Sequence, residues 1–125
     1  MRCATLQMEV GMAYKNSIIT GITDLLVLLI LKEKGDSYVY EICKYITENS
    51  NELLSIPHNT VYTVMYKLEM ENMISEYSKL VGRKRTRVYY HLEPAGEAYM
   101  NELMANYQNM STGFGLILEH LRRRD

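Results

Sequence analysis

From residue 21 to 34 the chain is apolar on nearly every side. Leu25, Leu26, Leu28, Leu29 and Leu31 leave no polar stripe, which predicts a helix at the centre of the core, and Gly35 is placed to stop it. A weaker amphipathic pattern precedes it over 4–18, with Leu6, Val10, Ala13 and Ile18 on one side and Gly11 working against it. The next helix is expected over 38–50, capped by Asp36 or Ser37, with Tyr38, Ile42, Tyr45 and Ile46 turned inward. After a short link, Ile56-Pro57 announces a further helix starting at 57–59 and running to 71, because proline favours a first turn and keeps the preceding residue extended. Val61, Val64, Met65 and Leu68 form its apolar stripe, and Asn72 is its left-handed terminator. The period then changes. Ile74–Val81 and Thr86–Leu92 are rich in β-formers and flank Gly82-Arg83-Lys84-Arg85, with Gly82 permitting a tight turn, which reads as a hairpin. Pro94 opens a last helix over 94–122.

Four helices, a hairpin and a helix make a mainly α chain with one β-hairpin. This is the order of a winged helix-turn-helix followed by a long C-terminal helix. The expected division is an N-terminal helix supporting a dimer (1–18), a winged helix-turn-helix (19–92) and a dimerisation helix (93–125). At 125 residues there is room for one core.

On the last helix Met100, Leu103, Tyr107, Met110, Phe114, Ile117 and Leu121 recur at alternating intervals of three and four, an a/d seam over three heptads. The preceding core is too small to cover it, so a homodimer is expected, with the helix at 4–18 of the same or the other subunit as a further cover. Gly113 and Gly115 flank Phe114 as points where the helix is expected to kink or fray.

The net charge of −1 says little about partners, but its distribution says more. Between Lys79 and Tyr90 there are five cations, Lys79, Arg83, Lys84, Arg85 and Arg87, and no acid. Cations at a hairpin tip are suited to a phosphate strand or a minor groove. Opposite the apolar stripe of the 57–71 helix stand Asn59, Thr60, Thr63, Tyr66 and Lys67, with Tyr62 at the boundary and His58 near the start. Such groups donate to phosphates and reach base edges in a major groove, and the helix N-terminus itself favours a phosphate. Glu69 and Glu71 lie at the far end. The expected partner is double-stranded DNA carrying an inverted repeat, because a two-fold dimer reads half-sites one helical turn apart.

Other classes find little support. Cys3 and Cys43 have no CxxC partner, and His58, His91 and His120 are far apart, so neither a zinc site nor a disulfide framework is expected. No catalytic triad or Gly-rich phosphate loop is present, and the expectation is no enzyme and no cofactor. The longest apolar run, Leu25–Leu31, is far short of a membrane span, and no signal peptide is visible, so a cytoplasmic protein is expected.

Eleven Tyr and nine Met, against one Phe and no Trp, favour adaptable, half-wet surfaces over a rigid aromatic core. An apolar ligand pocket at the dimer interface is one reading, lined by Met8, Met12, Met104, Tyr107 and Met110; an ordinary filled interface is the other. A regulator without ligand sensing, and a winged helix used only for protein contacts, stand as alternatives.

The stretches DLLVLLILKEKGDSYVYEI (24–42), IPHNTVYTVMYKLEMENMI (56–74) and GRKRTRVYYHLEPAGEAYM (82–100) resemble the PadR family of bacterial transcriptional regulators. The short C-terminal part is similar to the smaller subfamily, and in particular to its multidrug-responsive repressors. The resemblance implies a dimeric winged-helix repressor, with DNA contacts from Thr60, Tyr62, Thr63 and Lys67 and from Arg83 and Lys84. It also implies an aromatic on the last helix that stacks on flat hydrophobic ligands. Tyr107 stands at that position where those members carry Trp. Glu93, before Pro94-Ala95-Gly96, replaces their usual Thr cap, and one extra residue falls within 32–35.

Overall fold

The computed structural model describes residues 18, 19 and 21–123. The expected helix at 4–18, with Met8 and Met12, lies outside them apart from residue 18.

Helix α1 occupies 21–34 and stops at Gly35, whose φ of +88° is costly for any residue with a Cβ. Its all-round apolar sequence makes it the central element: Val27 and Leu28 are fully buried, with Leu25, Ile30 and Leu31 nearly so. Helix α2 (Val39–Asn49) begins without the expected side-chain cap. The Ser37 hydroxyl turns back to donate to the Gly35 carbonyl, Asp36 is committed to the hairpin, and Tyr38 holds the cap position. The inner stripe of α2 is Val39, Ile42, Cys43 and Ile46, one step round from the predicted one; Tyr38 and Tyr45 are only half-buried. Both tyrosines keep their rings at the surface, where Arg87 and Lys34 lie over them.

Helix α3 (His58–Met70) follows Pro57 and buries Val61, Val64, Met65 and Leu68, as its period predicts. Asn72, at φ +59°, turns the chain into strand β1 (Ile74–Leu80). Strand β2 (Thr86–Leu92) pairs antiparallel with β1, from Ile74 opposite Leu92 to Leu80 opposite Thr86. Ser37 and Tyr90 exchange both backbone hydrogen bonds, tying the α1–α2 link to the hairpin. Gly82 has neither a positive φ nor crowding at its Cβ position, so this turn does not depend on glycine.

Helix α4 (Pro94–Arg122) runs unbroken through Gly113 and Gly115. It lies antiparallel to α1: Lys32 pairs with Glu97 at 3.0 Å, and further along Leu25 and Leu103 flank one groove. The a/d row is divided. Met100 is buried in the chain's own core and Leu103 packs against it, which removes both from the expected partner seam. Tyr107, Met110, Phe114, Ile117 and Leu121 are exposed. Among the described residues no helix is long and apolar enough to cross a membrane.

Candidate nucleic-acid interface

With four apolar residues of α3 turned inward, 3.6 residues per turn brings Asn59, Thr63 and Tyr66 to its outer crest and leaves Thr60 and Lys67 on one flank, Tyr62 on the other. His58, Asn59, Tyr62, Thr63, Tyr66 and Lys67 are exposed and Thr60 is half-buried. The Thr63 hydroxyl donates to the Asn59 carbonyl at 2.9 Å, which fixes its rotamer and leaves its lone pairs outward. The edge of one ring meets the face of the other between Tyr40 on α2 and His58, with centroids 5.8 Å apart, so the start of α3 is held against the start of α2. Lys67 differs from the rest of this set. Its Nζ donates to Asp24 Oδ2 of α1 at 2.5 Å, and that hydrogen bond, opposed by partial burial, raises the lysine's pKa.

The hairpin presents its cations in two groups. Arg83, Lys84 and Arg85 stand exposed at the tip, where the Val81 amide donates to the Arg85 carbonyl to close the turn. None of the three is ion-paired among the described residues. Arg87 lies on β2 opposite Lys79, one pair in from the turn, with its guanidinium 4.1 Å from the centre of the Tyr38 ring. Tyr38 meets Tyr89 edge-on, Tyr89 stacks on Tyr77 with centroids 5.7 Å apart, and Lys79 lies over Tyr89 at 5.6 Å. This column of rings and cations stiffens a two-stranded ribbon that buries little apolar surface of its own. Tyr77 donates through its hydroxyl to Asp36 Oδ2, and His91 Nδ1 meets Asp36 Oδ1, both at 2.8 Å. Burial pushes the Asp36 carboxyl up, but the bonds from His91 and Tyr77 and the histidine's charge outweigh it and leave its pKa lowered. That bond raises the pKa of His91 against a small desolvation. Tyr90, the buried member of the Tyr89-Tyr90 pair, has its hydroxyl pushed up to about 12, chiefly by burial and then by Glu76.

A second feature lies away from α3. A groove of about 340 Å³ runs between α1 and α4, lined by Ile18, Ile22, Leu25, Leu103, Tyr107 and Met110 among others. Met104, expected there, packs against the core instead. Asn106 adds the carboxamide in a wall that is otherwise mostly apolar.

Asp24, Tyr40 and Tyr77 were not singled out by their sequence, and Asp36 was expected only as a cap of α2. Each acts through a partner far along the chain, and the YVYEI stretch around Tyr40 was the one local signal. Among the described residues no cluster of His, Cys, Asp or Glu is suited to a metal ion.

The model of the Transcriptional regulator PadR-like family matches residues 27–102. A transcriptional regulator from Clostridium thermocellum is 30% identical, with 79% of this chain and 92% of that chain covered, at a TM-score of 0.72. A PadR-family transcriptional regulator from Eggerthella lenta shares the fold at a TM-score of 0.75, with 23% identity over 92% of this chain and 97% of that one. PadR of Bacillus subtilis, solved in complex with operator DNA, is 25% identical at a TM-score of 0.59, covering 65% of this chain and 45% of its own.

Proposed function

The chain belongs to the PadR-like family of transcriptional regulators, and from that membership we propose that it is a homodimeric repressor that binds an inverted-repeat operator and releases it when a small hydrophobic molecule enters the interface. The observation that carries the DNA-binding part is that the chain has both an exposed, amide- and hydroxyl-rich crest on α3 and a wing tip of three cations with no ion pair among the described residues. Asn59, Thr63 and Tyr66, flanked by Thr60 and Tyr62, enter the major groove, and His58 meets a phosphate near the helix N-terminus. Arg83, Lys84 and Arg85 follow the backbone or the adjacent minor groove. That a Bacillus subtilis relative was solved in complex with operator DNA supports DNA binding as the activity.

The dimer is formed by the free part of the α4 seam, Tyr107 to Leu121. A flat apolar ligand in the α1/α4 groove stacks on Tyr107 and changes the spacing of the two α3 helices, which requires that it prefer one spacing over the other. The experiment is a binding titration of the full chain with the DNA upstream of its own gene at several salt concentrations. Affinity is expected to fall steeply with salt, and a hydrophobic dye is expected to displace the DNA while quenching tyrosine fluorescence. Binding to that DNA no tighter than to an unrelated duplex of equal length defeats the proposal. Displacement failing while tight binding persists leaves a repressor without a ligand switch.

A further inference from the structure

Lys67 lies on the polar side of α3, yet its ammonium is already engaged. The partner is 43 residues earlier: Asp24 Oδ2, at 2.5 Å. The Asp24 side chain is only 8% exposed, and its other oxygen, Oδ1, is buried with no hydrogen-bond partner among the described residues. A carboxylate so placed is costly unless a cation neutralises it, and Lys67 is the one cation that pairs with it among the described residues. Helical geometry explains the reach. Lys67 stands on the flank of α3, about a quarter-turn or more from the middle of the buried row, from where its head reaches the acid on α1. On α1, Asp24 is followed directly by Leu25, a wall residue of the α1/α4 groove.

We propose that Lys67 is a positioning residue and not a phosphate contact: its ion pair with Asp24 sets how the DNA-reading helix sits on α1. This inference rests on the DNA-binding reading above. It gives the two residues one shared function. Removing either end lets α3 shift on α1, so the crest loses its register with the bases, while the phosphate contacts made by the wing are kept.

The test compares the full-length wild type with Asp24→Asn, Lys67→Met, the double variant and Lys67→Arg. Each is titrated into fluorescent DNA from upstream of its own gene and into an unrelated duplex, over a salt series. Lys67→Met strands a buried carboxylate and is the variant most prone to unfolding; Asp24→Asn removes the charge and serves as the safer probe. The expected result is a loss of about tenfold or more in the ratio of specific to unrelated binding for Asp24→Asn and for Lys67→Met, within the usual range of coupling between sites. The double variant is expected to be no worse than the poorer single, and Lys67→Arg to recover most of the ratio. The slope of log affinity against log salt should stay at the wild-type value in all four, whereas Arg83→Ala as a control lowers it by about two, one contact from each subunit. A slope lowered by about two in Lys67→Met, with Asp24→Asn binding as well as wild type or better, overturns the proposal and returns Lys67 to the phosphate contacts. An unchanged ratio in a folded Asp24→Asn overturns it as well. Failure of the wild type itself to prefer the upstream DNA defeats the DNA-binding reading, and this inference falls with it.

Discussion

Gly96, in the first turn of α4, lies so close to the Met73 carbonyl that an added Cβ would stand 2.1 Å from its oxygen and 2.8 Å from Leu92 Cδ1. The obstacle is backbone, which cannot rotate away, and the same turn is fixed by the Glu93 amide donating to Met73 at 3.0 Å. Helix propensity alone would make Gly96→Ala stabilising by about 1 kcal/mol. Crowding reverses the sign, and a net loss of about 1–3 kcal/mol is expected, seen as a melting temperature lowered by several degrees. A variant as stable as wild type would mean that α4 can lift away from the α3–β1 turn without cost.

The wing cations separate by role. Among the described residues Arg83 and Lys84 make no ion pair, so replacing both by alanine should leave the unfolding free energy within about 0.5 kcal/mol of wild type. Operator binding should weaken, with the salt slope lower by about four, two contacts from each subunit. Arg87→Ala should do the opposite in proportion: its guanidinium over Tyr38 is part of the column that stiffens the ribbon, so stability falls while the salt slope changes less. Thermal melts and salt-series titrations on the same preparations distinguish the two groups. A salt slope lowered as far by Arg87→Ala as by the Arg83/Lys84 double replacement would contradict the division.

The Asp36–His91 pair makes the wing's attachment depend on pH. The folded pKa of His91 is raised, so the stability it contributes is fully present below its unfolded value of about 6.5 and is lost as pH rises through the folded value. The folded pKa of Asp36 is lowered, so its contribution is present above about 3.9 and is lost as pH falls through the folded value. Both are in place between about pH 4 and 6.5. His91→Gln should therefore cost more at pH 5.5 than at pH 8.5, by less than about 1 kcal/mol because the pair is partly exposed to solvent. Melting temperatures of wild type and variant at the two values measure it, and a gap that does not narrow at high pH would count against the pair.

Periodicity carried most of the fold. The spacing of Val61, Val64, Met65 and Leu68 oriented α3, and the change to alternating β-formers placed both strands, because each pattern depends on neighbours within one or two turns. The cap of α2 escaped, since Asp36 and Ser37 both have local capping chemistry but were claimed by residues elsewhere, His91 lying 55 positions away. Lys67 was legible as polar and outward, but a flexible side chain on a helix flank can reach backward, and only the position of Asp24 decides that it does. The division of the α4 seam was hidden for a further reason: Met100 and Phe114 share one phase of the heptad, and phase does not say which chain supplies the contact.

That division makes a last prediction possible. Phe114 is 64% exposed, and Met110, Ile117 and Leu121 are comparably bare along the same face, while Met100 is 7% exposed within its own core. An apolar row continuing for three turns beyond the core is larger than a monomer ordinarily leaves in water. Phe114→Asp places a charge in the middle of the expected symmetric contact, opposite its own copy, without touching the core. The variant should sediment as a monomer with its helical content retained near α1–α3, and its melting temperature should lose the concentration dependence expected of the wild-type dimer. Its affinity for the full operator should fall towards that of a single half-site. Met100→Asp should instead unfold the chain. A Phe114→Asp protein with the mass of wild type would show that the free end of α4 pairs with something other than a second copy, and the two-fold reading of the operator would have to be given up.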